Sequence, residues 1–219
     1  MADPDTGNQT AIVEFVLLGF GDLPDLRVLL FLLFLGVYLA TMGVNSLVLL
    51  LVVANRHLHT PMYFFLGNLA CLEPCYSSAM VPQMLPGLLT GDRSISVTGC
   101  ITQMCFFGVL AATECCLLAA MSYDRHLAIC RPLRYPTLMS SRSCLCLAAG
   151  SWLSGWFVAT LFIVLLSGLM FCGPHDIDNF YCDVSPVVKL ACGDTRPMVV
   201  LDIALSCVFT TSCYGTILI

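Results

Sequence analysis

Residues 28–54 read VLLFLLFLGVYLATMGVNSLVLLLVVA, from Val28 to Ala54, without a single charged side chain. A helix rises about 1.5 Å per residue, so about 20 apolar residues cross the hydrocarbon core of a bilayer. This block is long enough to do so. Four more blocks follow. One runs from about Pro61 to Leu85 with Glu73 as its only charge, and one from Cys100 to Tyr123 with only Glu114. The fourth, about 144–171, has none, and the fifth, 197–219, carries Asp202 near its start. Lipid offers unpaired backbone groups no partner, so such blocks are helices or a closed barrel. Their length and lack of strict alternation select helices. The expected fold is an all-α membrane bundle with five spans, preceded by residues 1–27.

Composition agrees. Of 219 residues, 58% are hydrophobic and 11% charged, and the mean hydropathy is +0.90. Soluble domains average about 25% charged residues, so an ordinary soluble enzyme is excluded. A net charge of −5, with no basic patch or zinc-finger spacing, gives no case for nucleic-acid binding.

Loop charges set the expected orientation. One set of connections holds Arg56, Arg125, Arg131, Arg134 and Arg142 against Asp124 alone. The other holds Arg27, Arg93, Lys189 and Arg196 against ten acids, including Asp3, Asp5, Asp92, Asp176, Asp183 and Asp194. The positive-inside rule makes the first set cytoplasmic and the N-terminus extracellular. The N-terminal stretch starts acidic and its apolar run is interrupted by Glu14, so the first span reads as an uncleaved signal anchor. Asn8-Gln9-Thr10 is a glycosylation acceptor on the outer side. Of 14 cysteines, Cys100, Cys172, Cys182 and Cys192 fall on that oxidising side. They imply two disulfides, and three pairings are open.

Ionisable groups at membrane depth are functional candidates. Glu73 and Glu114 lie about 18 Å and 15 Å from the cytoplasmic ends of their spans. Matching depth on separate helices fits a shared pocket holding a cation or a proton; the alternative is two protonated acids bonded to neighbouring polar groups. Asp202 lies about 7–8 Å below the outer surface. Met104, Phe107, Gly108, Ala111 and Glu114 share one helical face. An apolar, aromatic and sulfur-lined outer cavity suits a small hydrophobic ligand, and helix–helix packing is the plain alternative.

The segments Leu58-His59-Thr60-Pro61-Met62-Tyr63-Phe64-Phe65-Leu66 and Met121-Ser122-Tyr123-Asp124-Arg125-His126-Leu127-Ala128-Ile129-Cys130 resemble signatures of olfactory receptors, the odorant-sensing branch of rhodopsin-like G protein-coupled receptors. Glu14–Phe20, Gly43-Val44-Asn45, Pro132-Leu133-Arg134-Tyr135, Phe171-Cys172-Gly173-Pro174, Phe180-Tyr181-Cys182-Asp183, Lys189–Cys192 and Ser212-Cys213-Tyr214 resemble further family elements in the same order.

The resemblance implies a plasma-membrane receptor that binds small hydrophobic odorants and signals through a stimulatory heterotrimeric G protein, with no enzymatic activity. It implies disulfides Cys100–Cys182 and Cys172–Cys192, and an Asp124–Arg125 ion pair governing G-protein engagement. It places a sodium ion at Glu73 and Glu114, although the family usually has Asp at position 73. No other cofactor is implied. His126 and Ser122 stand where the family usually has Tyr and Ala. The family's sixth and seventh helices are not represented in these residues, so the expected form is truncated, with weak or absent signalling by this polypeptide alone. The competing reading is an ion or proton translocator using Glu73, Glu114 and Asp202. It finds no internal repeat to support it. An intramembrane enzyme finds no nucleophile–base pair.

Overall fold

A computed structural model describes residues 14–19, 26–171 and 175–217, the side chains of 212–214, 216 and 217 excepted. The expectations for Asn8, Cys172 and the Ser212-Cys213-Tyr214 side chains fall outside that description.

The apolar blocks form the long helices α1 (Arg27–Ala54), α2 (Pro61–Thr90), α3 (Val97–Cys130), α5 (Ser141–Ser167) and α7 (Arg196–Ile217). Short helices α4 (Tyr135–Leu138) and α6 (Val184–Val188) lie in the connections. The boundaries follow local chemistry. Pro61 opens α2, where a missing N–H costs nothing. Gly91 closes it at φ +79, in the left-handed region that glycine tolerates. The hydroxyls of Ser96 and Ser140 accept the N–H groups of Gly99 and Ser143 and cap α3 and α5. Helix α3 runs on past Tyr123 to Cys130, and stops two residues before Pro132 removes the backbone donor. Asp124 and Arg125 are therefore helical. Helix α5 stops at Ser167 rather than near residue 171.

The molecule is an all-α membrane bundle. Among the described residues, α1, α3 and α5 are long and apolar enough to cross a bilayer by length and composition alone. Helix α2 is diluted by Asn68, Glu73, Gln83 and three internal prolines, Pro74, Pro82 and Pro86. Its place in the bundle comes from packing between α1 and α3. Helix α3 is central, touching α2, α5 and α7. No residue of α1 is buried, so its leucine-rich outer face meets lipid.

Sequence reasoning did not anticipate a three-stranded sheet at one end of the bundle. Strand β1 (Glu14–Leu17) lies between β2 (Ser94–Ser96) and β3 (Asp176–Ile177). Phe15 opposes Ile95 in an antiparallel ladder, and Val16 opposes Asp176 in a parallel one. Phe15 is fully buried and meets Phe171 edge-on at 5.6 Å. The sheet holds the N-terminal segment, the α2–α3 connection and the α5–α7 connection on one face.

Candidate functional site

A cavity of about 680 Å³ opens between α3, α5, α7 and the long loop. Met104, Phe107, Gly108 and Ala111 line it from α3, Val158 and Phe162 from α5, and Asp202, Leu205 and Phe209 from α7. Of the expected helical face, Met104, Phe107, Gly108 and Ala111 line the cavity and Glu114 is not among the described lining residues, while Asp202 enters from α7. A methyl group added at Gly108 would meet nothing within 4 Å, so the missing side chain is cavity space.

The loop is fixed over the cavity by two devices. Cys100 and Cys182 form a disulfide across 82 residues, with both side chains buried. One turn along α3, buried Gln103 donates to the Ala79 carbonyl of α2 at 2.9 Å and accepts the Cys182 N–H at 3.2 Å. One amide thus joins two helices and the loop. Cys192 is also disulfide-bonded.

Phe107 stands between two tyrosines. Its ring lies 4.4 Å from that of Tyr76, edge-on, and 5.5 Å from that of Tyr181, stacked. Burial, and then the Asp183 carboxylate, push the Tyr181 hydroxyl above its usual range. Beyond Phe107, Glu73 and Glu114 are both half-buried. Asp202 lines the cavity together with Asp183, and neither glutamate is among the described residues that line it. Among the described residues, no three His, Cys, Asp or Glu side chains converge on a common point.

The C-terminal end of α3 departs from the expected ion pair. Asp124 is 2% exposed, and its carboxylate accepts the Tyr135 hydroxyl at 2.8 Å. Arg125 is exposed and forms no ion pair with Asp124. Adjacent residues on a helix point about 100° apart, so consecutive charges do not face one another. Burial, followed by the hydrogen bond to Asp124, pushes the Tyr135 hydroxyl up to about 12. The His126 Nδ1 is buried and has no hydrogen-bond partner among the described residues.

Sequence reasoning missed Tyr76, Gln103, Tyr135 and the contact made by Tyr181. Helical spacing carried a signal for the first two. Tyr76 lies three residues after Glu73, and Gln103 three after Cys100, which places each on a face already of interest. Tyr135 is brought to Asp124 by a turn, and no local spacing marks it.

The family model for olfactory receptors matches residues 34–219. The chain is 49% identical over 213 residues to human olfactory receptor 11A1, covering 97% of the chain and 67% of that protein. It is 50% identical over 190 residues to human olfactory receptor 10C1, covering 87% and 61%. Mouse olfactory receptor 6Z7 is 44% identical over 209 residues, covering 95% and 67%. The chain thus spans roughly two thirds of the length of these relatives, and across nearly all of its own length it belongs to the olfactory receptor family.

Proposed function

We propose that the chain acts as an odorant receptor in the plasma membrane, with its N-terminus extracellular and Asn8 glycosylated. Small hydrophobic volatile molecules enter the cavity against Met104, Phe107, Gly108 and Ala111. A stimulatory heterotrimeric G protein engages the opposite end, at Asp124 and Arg125. A sodium ion sits between Glu73 and Glu114, and Cys172 pairs with Cys192. The observation that carries the reading is the cavity itself. It is large enough for a small odorant, closed over by a disulfide-anchored loop, and apolar apart from a few polar groups that can orient a ligand.

The test uses the 219-residue chain in nanodiscs of zwitterionic lipid and a series of straight-chain alcohols, read by ligand-observed NMR. Each buried methylene contributes about 0.8 kcal/mol, roughly fourfold in affinity. A cavity of fixed size ends that gain at a definite length, whereas bilayer partitioning continues. Filling the space with Gly108→Phe should remove the saturable component. Saturable binding that survives Gly108→Phe and Phe107→Ala unchanged would overturn the reading.

A further inference from the structure

The cavity wall has a charge pattern that apolar burial does not explain. Two carboxylates, Asp183 from the loop and Asp202 from α7, line it together. Among the described residues that line the cavity, none is Lys, Arg or His. Asp183 spends one oxygen on the Val184 N–H at 2.8 Å, capping α6. Asp202 has no hydrogen bond and no ion pair among the described residues. Lys189 and Arg196, the nearest bases in the sequence, form no ion pair with either acid. Three aromatic rings, Phe107, Phe162 and Phe209, line the same space. Their negative faces attract cations and not anions.

We propose that the cavity selects hydrophobic amines, protonated at neutral pH, over neutral or anionic molecules of the same shape. The inference rests on the odorant-receptor reading above and names the ligand class of that site. The ammonium sits between the Asp183 and Asp202 carboxylates and offers up to three N–H donors. It relieves the repulsion of two like charges and satisfies acceptors the fold leaves open. The hydrocarbon body lies against Phe107, Phe162 and Met104. An anionic ligand meets two like charges and no donor of opposite sign, so it is rejected by repulsion as well as by lost contacts. The same connection carries exposed Asp176, Asp178 and Asp194 against exposed Lys189 and Arg196, a negative balance that favours the approach of cations.

The experiment compares cyclohexylmethylamine, cyclohexylmethanol and cyclohexanecarboxylate on the 219-residue chain in zwitterionic nanodiscs at pH 7. The difference between the parent chain and Gly108→Phe removes the contribution of bilayer partitioning. A charge-assisted hydrogen bond predicts that the amine binds about 10- to 100-fold tighter than the alcohol, with the carboxylate weakest. Asp202→Asn should erase the amine preference, bringing the affinities for amine and alcohol within about twofold of each other. Asp183→Asn keeps an α6 cap, because Asn caps as well as Asp, and should erase part of the preference. Cavity binding of the alcohol with no amine preference, or an amine preference untouched by both substitutions, overturns this proposal and leaves the odorant-receptor reading standing. If none of the three probes shows a component sensitive to Gly108→Phe, both readings fall together.

Discussion

Replacing Gly155 by alanine puts a methyl group where α3 already stands. A Cβ at this position would collide with the Val109 carbonyl oxygen and the Thr113 hydroxyl. Those two atoms form one unit, because the Thr113 hydroxyl donates to that carbonyl at 2.7 Å. Thr113 is 0% exposed, so rotating its hydroxyl away leaves a buried polar atom unpaired. The carbonyl belongs to helix backbone and cannot rotate at all. The remaining escape is to move the helices apart by an amount on the order of 1 Å, which restores van der Waals distance.

That movement opens the seam where Leu110 and Leu117 of α3 share one buried cluster with Ala148 of α5, and Ala112 of α3 shares another with Val158 of α5. A gap of about 0.5–1 Å already forfeits a quarter to a half of each dispersion contact. Overpacking of this kind costs about 1–3 kcal/mol. For a chain of this length that is a fall of about 2–12 °C in Tm. The sequence supplies its own probe, since both tryptophans, Trp152 and Trp156, lie on α5 beside the substituted position. Their fluorescence, followed through a thermal melt in detergent, reports on α5 alone. Gly150→Ala on the same helix is the control, because a methyl there meets nothing within 4 Å. A Gly155→Ala chain melting within about 1 °C of the parent, or a Gly150→Ala chain falling as far, would refute the close-approach argument.

Two further perturbations test the ends of the bundle. Tyr135→Phe removes the one hydroxyl among the described residues that reaches buried Asp124, and an acceptor left unsatisfied costs about 1–3 kcal/mol in the same melt. Tyr135 ionises at about 12 in the fold and at 10.0 when unperturbed. Its folded value is raised, so its contribution to stability is intact below pH 10 and is lost as pH rises from 10 to 12. Tyr135→Phe should therefore flatten the decline in melting temperature across that window, and an unchanged alkaline slope would count against the contact. At the outer end, Cys100→Ser with Cys182→Ser opens a cross-link spanning 82 residues and should cost about 2–4 kcal/mol. Mapping of unreduced peptides from the parent should recover Cys100 joined to Cys182, and recovery of either cysteine with another partner would defeat the assignment.

What the sequence made legible is what repeats locally. Charge-free runs gave the bundle because membrane insertion depends on the composition of one segment at a time. Met104, Phe107, Gly108 and Ala111 could be placed on one wall because helical periodicity fixes their common face before any neighbour is known. The sheet could not be read this way. Phe15 pairs with Ile95, and Leu17 with Ile177, far along the chain. Four residues alternating between exposed and buried sides are too short a pattern to separate from a loop.

Asp124 shows the same limit at closer range. The family resemblance joined it to Arg125 as an ion pair, yet the helix turns those side chains apart, and a tyrosine 11 residues on fills the place. A neutral hydroxyl suits that position. It satisfies the buried carboxylate with one short hydrogen bond, without bringing a second charge out of water, which would carry its own desolvation cost. Arg125 is left exposed on the surface of α3. Adjacency in sequence names the two charges, but helix geometry decides that one faces the core and the other faces out.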